Sequence, residues 1–265
     1  MTKNFVPGPA SVDPEKGPDF VEGLARGLRV IAAFRHTQRQ MTLSEVAESA
    51  KLPKPSARRA LLTLATLGFV EVDGRSFRLT PRILTIASAY LGSNTISDIV
   101  QPACERISQR TGEACFAAVL DQQNIVFIAH AMPRQSINLA PAIGLCLPAF
   151  STAAGRVILS QMSDRELQEW LTRLDPQPRT EFTVTDKRRL REVIGQARLD
   201  GFCISDKEAY LNRRAIAFPL RRRDGLSVAA LSLTIRTDPD SPIGSLDAYI
   251  SLLRKEATEL QQQLI

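Results

Sequence analysis

PKPSARRALLTL, residues 53 to 64, places two adjacent arginines, Arg58 and Arg59, at the start of a short amphipathic helix. Pro55 suits the first turn, where the missing N–H would have had no intrahelical acceptor. On a 3.6-residue period Ala57, Leu61 and Leu64 share a face, with Ala60 and Leu67 at its edge. Arg59, Thr63 and Pro55 point the other way, flanked by Arg58 and Ser56. Leu62 also points outward, and the pattern gives no reason for it. The charged face is either solvated or built to enter a nucleic-acid groove, and an isolated Arg-Arg pair favours the first reading. The neighbouring segments decide.

Upstream, VEGLARGLRVIAAF sets Leu24, Leu28, Ile31 and Phe34 on one helical face. MTLSEVAESAK does the same with Leu43, Val46, Ala47 and Ala50, and its Thr42 and Glu45 have the spacing of a capping box. Only a few residues then separate this helix from the one beginning near Lys54. Downstream, Gly68 ends the helix, and GFVEVDGRSFRLTP holds two short β-prone runs around Asp73-Gly74, a strong hairpin signal. Helix, helix, tight turn, helix, hairpin is the order of a winged helix-turn-helix. It is expected over residues 20–80, with the helix-turn-helix at about 43–62 and the wing at about 69–79.

In that context the reading of the arginines reverses. The second helix of such a unit presents its first turns to major-groove base edges. The planar fork of Arg58 or Arg59 can pair bidentately with guanine O6 and N7. Lys54 and Ser56 are assigned to phosphates, which position without specifying. Arg75 and Arg78 lie on the hairpin just past the turn. They either guard an exposed strand edge with charge or reach DNA from the wing, and both readings stand.

The remaining sequence is organised around this module. Residues 1–19, rich in Pro, Gly and charge, are expected to be a disordered arm. PRILTIASAYLGSN reads as a linker helix within residues 81–95, and residues 96–265 as a second domain. There, ISDIVQPACERISQRTG is amphipathic through Ile96, Ile99, Val100, Ala103 and Ile107. CFAAVL and IVFIAHA are β-like and joined by DQQN. FSTAAGRVILSQM is a helix capped near Ser151 or Thr152. SDRELQEWL is a short helix, and a longer one starts near Asp186 and stops at Gly201. RAIAFPL and SVAALSLTI form a hairpin around Asp224-Gly225, before a final helix carrying Leu246, Ile250, Leu253, Ala257, Leu260 and Leu264. The class is α+β.

Composition narrows the function. The 265 residues carry a formal net charge of +6. Residues 1–95 hold 13 Lys/Arg against 8 Asp/Glu, so the smaller part carries nearly all the excess, as expected of a polyanion reader joined to a near-neutral unit. No apolar run reaches the length of about 18 residues that a membrane helix needs, and the N-terminus has no apolar signal segment, so a cytoplasmic protein is expected. Cys104, Cys115, Cys146 and Cys203 are scattered without CxxC spacing, which reads as reduced core thiols and argues against zinc. No cofactor is implied. RRR at 221–223 reads as a solvated loop. The two histidines, His36 and His130, supply no acid/base set, and FSTAAG is not a G-x-S-x-G elbow. An enzyme of small-acid metabolism fused to a nucleic-acid-binding module is therefore the alternative, not the leading reading. A constitutive DNA-binding protein whose second domain only dimerises is a third.

LARGLRVIAAF, LSEVA, ARRALLTLATLGFVEVDGRSFRLTPRIL, LPAFSTAAGRVIL, VTD, GFCISDKE and AIAFPLRRRDG together resemble the IclR family of transcriptional regulators, in the branch that controls aromatic-acid catabolism through the β-ketoadipate pathway. The resemblance spans about residues 20–262. It implies a winged helix joined by a helix to a GAF-like effector-binding domain, and dimers or tetramers on palindromic operators. It also implies effector contacts at the positions of Ala153, Ala154, Ser205, Ala215, Ser232 and Thr234. One segment departs: where that branch usually reads Leu-Gly-Leu-Arg-Ser-Ile-Ala, this chain has Leu211-Asn212-Arg213-Arg214-Ala215 before Ile216-Ala217 at the pocket border. The residues themselves add a reason for ligand binding. In ALSLTI, Ser232 and Thr234 alternate with Leu231, Leu233 and Ile235, so their hydroxyls face either solvent or a cavity. Small residues in STAAGR would leave the N–H groups of Thr152, Ala153, Ala154 and Gly155 open to a small carboxylate, an aromatic acid or one of its breakdown products, at a helix N-terminus. Ile143 and Leu145 are placed to cover its ring.

Overall fold

The computed structural model describes residues 17–34, 40–93, 95–133, 143–237 and 246–264. Nearly all of the arm expected at 1–19, and His36, lie outside them. Two compact units are distinguished, one running through Asn94 and the other from Thr95 to Ile265.

In the first unit the helices are α1 (Glu22–Ala33), α2 (Leu43–Ser49) and α3 (Lys54–Thr66), and the strands are β1 (Met41–Thr42), β2 (Val70–Asp73) and β3 (Ser76–Leu79). The capping box at α2 is present: Thr42 Oγ1 accepts from the Glu45 N–H, and the Glu45 carboxylate accepts from the Thr42 N–H. Between α2 and α3, Lys51 takes the left-handed conformation at φ 52°, where a side chain is strained and glycine is usual. Gly68 does the same after α3 at φ 77°. The hairpin pairs Val70 with Leu79 and Asp73 with Ser76. β1 was not legible in the sequence; its two residues pair with Phe77 and Ser76 and complete a three-stranded sheet.

The core of this unit gathers Val30, Ala33, Val46, Leu61, Leu64 and Phe77, among others. Leu24 and Leu28 were grouped with Ile31 and Phe34 as one face of α1, but they are 63% and 54% exposed. α1 packs through Val30 and Ala33 instead, leaving that part of its apolar stripe open. After a 3-10 turn at Pro81–Ile83 comes α4 (Leu84–Ser93), where the linker helix was expected. Its Leu84, Ile86 and Tyr90 are also exposed.

In the second unit the helices are α5 (Thr95–Thr111), α6 (Ala153–Leu159), α7 (Asp164–Arg173), α8 (Lys187–Asp200) and α9 (Leu246–Gln261). The strands are β4 (Ala114–Asp121), β5 (Asn124–Ala131), β6 (Cys146–Pro148), β7 (Cys203–Asp206), β8 (Arg213–Arg221) and β9 (Ser227–Arg236). They form one antiparallel sheet in the order β6-β5-β4-β9-β8-β7. β6 and β7 span three and four residues, too few for alternation to announce them.

Both faces are covered, and the two-residue period sorts the side chains between them. Leu231, Leu233 and Ile235 pack with α5 and α9 through residues such as Val100, Ile107 and Leu253. Phe116, Ala118, Ala217 and Ala230 face the other way, toward α6, α7 and α8. Gly155 in α6 is required by close approach: a Cβ there would lie 2.2 Å from the Ala149 carbonyl oxygen.

Candidate functional site

The outer face of α3 carries the charge anticipated for it. Lys54, Arg58 and Arg59 are exposed and Ser56 is half-buried, while Ala57, Leu61 and Leu64 anchor the opposite face. Leu62, the outward leucine without a reason, is indeed 42% exposed. Arg75 sits in the hairpin turn and is exposed. Arg78 differs. Its Nε and Nη2 donate to the Glu71 carboxylate across the hairpin at 3.0 and 2.9 Å. That pair holds the Glu71 carboxyl below the usual carboxylate range. Of the six cations and hydroxyls assigned to DNA, Arg78 is therefore the one whose charge is already engaged, which favours the strand-edge reading at that position.

On the sheet face beneath α6, residues from five strands align. One row reads Ala114, Thr234, Ala215, Ser205; the next reads His130, Phe116, Ser232, Ala217, Cys203. Opposite residues in antiparallel strands point to the same side, so Ser232 and Thr234 share the face of Phe116 and Ala217. Ser232 is 4% exposed and Thr234 half-buried, and neither hydroxyl has a hydrogen-bond partner among the described residues. The solvent-facing alternative fails for Ser232. Ser205 is placed in the same rows, but its hydroxyl already faces the Ser151 carbonyl at 3.3 Å and the Glu208 carboxylate at 3.5 Å.

The helix-start cradle needs correction. Thr152, Ala153, Ala154 and Gly155 are all buried. The Thr152 N–H donates to the Ala149 carbonyl at 3.4 Å, and the Gly155 N–H to Thr152 Oγ1 at 3.1 Å. Those two N–H groups are spent on capping, which leaves the N–H groups of Ala153 and Ala154 in the first turn of α6 without an intrahelical acceptor. Leu145 packs against the core on this side, whereas Ile143 is 46% exposed.

Sequence reasoning missed the strongest electrostatic feature. Arg156, only 1% exposed, pairs with Glu208 through two bonds of 2.5 Å and donates from Nε to the Phe150 carbonyl at 2.7 Å. Glu208 also accepts the Val184 N–H at 3.0 Å. The pair joins α6 to the turn after β7, with 52 residues between the partners, and no local signal marks it. The four cysteines are free. Burial pushes the Cys203 thiol up to about 11 and Cys115 well above its ordinary value, so neither is an activated nucleophile. Among the described residues no cluster of His, Cys, Asp or Glu is arranged to hold a metal, and no helix is long and apolar enough to cross a membrane.

A winged helix with an unpaired basic recognition face, followed by an α/β unit with unpartnered hydroxyls on a covered sheet face, defines a DNA-binding regulator with a sensor unit. Residues 23–74 match the IclR helix-turn-helix domain, and residues 88–261 match the family described as "Bacterial transcriptional regulator IclR C-terminal". The chain belongs to the IclR family; it is a transcriptional regulator, not an enzyme. It is 38% identical over 248 residues to the Pca regulon regulatory protein of Pseudomonas putida, covering 93% of this chain and 85% of that one. It is 32% identical over 263 residues to the p-hydroxybenzoate hydroxylase transcriptional activator of Acinetobacter baylyi, covering 97% of each. The fold superposes with a TM-score of 0.75 on an IclR homologue of Microbacterium hydrocarbonoxydans complexed with 4-hydroxybenzoate, at 24% identity and covering 91% of this chain and 98% of that one.

Proposed function

We propose that this regulator controls aromatic-acid catabolic genes and responds to a small aromatic carboxylate bound on the α6 side of the sheet. The names of its two relatives and the ligand of the Microbacterium homologue support the effector class. The observation that carries the site is Ser232, a residue only 4% exposed whose hydroxyl has no hydrogen-bond partner among the described residues, beside the half-buried Thr234, whose hydroxyl has none either. A hydroxyl on a covered sheet face is stable only when water or a ligand completes its hydrogen bonds, and a carboxylate does so. Ala153 and Ala154 offer N–H groups at the start of α6, and Thr152, Gly155, Ser205 and Ala215 frame them. The test is calorimetry on the full chain with benzoate and 4-hydroxybenzoate. Ser232→Ala should weaken binding more than the surface change Arg222→Ala. Intact affinity in the Ser232→Ala/Thr234→Ala double variant would refute the site.

The reading face of α3 covers too few base pairs alone, so the operator is a palindrome bound by a homodimer or tetramer. The open apolar residues Leu24 and Leu28 on α1 and Leu84, Ile86 and Tyr90 on α4 support self-association. Residues 20–80 act as the DNA-binding domain, 81–95 as the link and 96–265 as the effector and oligomerisation domain. Arg58 and Arg59 read bases, Lys54 and Ser56 hold phosphates, and Arg75 reaches the backbone from the wing. Arg59→Ala should cost about 1–3 kcal/mol of discrimination between operator and random DNA, whereas Lys54→Ala should weaken both and lower the salt slope by about 1. Equal losses on both DNAs for Arg59→Ala would remove it from base readout. Footprinting that shows a single half-site would refute the palindrome.

A further inference from the structure

His130 belongs to no acid/base set, yet the fold places it in the row of Ser232. Phe116 pairs with His130 on one side and with Ser232 on the other, so all three side chains lie on the face beneath α6. The Nδ1 atom of His130 is buried with no hydrogen-bond partner among the described residues. Its main chain, by contrast, is fully held: Gln101 on α5 donates from Nε2 to the His130 carbonyl at 3.0 Å and accepts the His130 N–H at 3.1 Å. Gln101 completes this end of β5 as an added strand would, fixing where the ring stands. A buried polar atom without a partner needs an explanation, because leaving it unpaired is costly.

We propose that His130 is the second polar pole of the effector site, and that the site takes an acid with polar groups at both ends of an apolar body. This rests on the reading of the α6-side sheet face as the effector site. Ser232 and His130 stand on strands two places apart, about 10 Å at the ordinary strand spacing. A single carboxylate cannot satisfy both poles. A ring bearing a carboxylate at one end and a hydroxyl at the other can, with its apolar body over Phe116 between them. The imidazole donates to or accepts from that distal group according to its tautomer.

The experiment is titration calorimetry of the full-length protein with benzoate, which has one polar end, and 4-hydroxybenzoate, which has two. Wild type should bind 4-hydroxybenzoate about tenfold more tightly, the effect of one added hydrogen bond in a site shielded from water. In His130→Phe that ratio should fall toward one, and His130→Gln should restore part of it. Thermal unfolding without ligand checks that each variant folds, and His130→Ala replaces His130→Phe if the latter does not. Saturable binding of both acids with an unchanged ratio in the variant overturns the His130 assignment and leaves the effector site standing, with water as the partner of Nδ1. If neither acid binds wild type, the aromatic-acid reading falls and takes this inference with it.

Discussion

Replacing Glu208 by glutamine would leave a guanidinium buried without its counter-charge. Arg156 is 1% exposed, its Nη1 and Nη2 bond the two oxygens of the Glu208 carboxylate, and its Nε donates to the Phe150 carbonyl. A glutamine presents one oxygen to the fork and turns an NH₂ donor against the other arm. Breaking one side of a buried pair costs about 3–5 kcal/mol, chiefly the desolvated charge left behind. In a unit of this size each kcal/mol lowers the melting temperature by about 2–4 °C, so Glu208→Gln should lose about 10 °C in differential scanning calorimetry at neutral pH. The double change Arg156→Met/Glu208→Leu should cost less than the two single changes summed, because both charges leave together. Its residual cost is two orphaned backbone groups, the Val184 N–H that bonds Glu208 at 3.0 Å and the Phe150 carbonyl that accepts from Arg156 at 2.7 Å, about 1–3 kcal/mol each. A Glu208→Gln protein melting within 1 °C of wild type, or a double variant less stable than the single changes summed, would refute this account.

Gly155→Ala should destabilise the second unit by at least about 1–3 kcal/mol, because the new methyl would meet the backbone of Ala149 and not a flexible side chain; an unchanged melting temperature would mean that α6 shifts freely. Lys51→Gly should stabilise the helix-turn-helix by about 1 kcal/mol by relieving its left-handed backbone, read by chemical denaturation. Glu45 and Glu166 are held below their ordinary value of 4.5, Glu45 chiefly by the Thr42 N–H and Glu166 chiefly by the Ser163 hydroxyl. Being depressed, each contributes stability that is present above pH 4.5 and is lost as pH falls through the lower folded value. Circular dichroism during acid titration should therefore show α2 and α7 weakening below pH 4.5, and Glu45→Gln/Glu166→Gln should flatten that dependence.

The DNA-binding unit was legible because its signals are local. Helical period, the Thr42 to Glu45 spacing, Gly68 and Asp73-Gly74 each act within a few residues. The α1 stripe misled because periodicity shows that Leu24, Leu28 and Ile31 share a face without showing what that face meets. β1, β6 and β7 were invisible because two to four residues cannot display a period, and only pairing defines them. In the sensor unit, the alternation of Ser232 and Thr234 with Leu231 and Leu233 was legible, but which side was covered was not. Arg156 with Glu208, and His130 with Ser232, are brought together only by strand order and long loops. Gly155 was noticed for a different reason: its smallness serves the approach of α6 to Ala149, and its N–H is taken by Thr152.

That close approach gives the small residues of the sensor unit one physical purpose. α6 packs on β8 and β9, where Ala217 and Ala230 stand beneath it, and its own first turn is Ala153-Ala154-Gly155. On the opposite face of the same strands the residues are Ile216, Phe218, Leu231 and Leu233. Large side chains beneath α6 would lift the helix off the sheet and carry the Ala153 and Ala154 N–H groups away from the strand that bears Ser232 and Thr234. Small ones seat it close, at the expense of hydrophobic burial that larger residues would supply. The Arg156 to Glu208 pair then fixes the helix where it lies, since a bidentate ion pair tolerates little sliding. A face built for stability alone would have no reason to exchange bulk for position in this way. The exchange is intelligible if the first turn of α6 and the hydroxyls of β9 must converge on one small molecule.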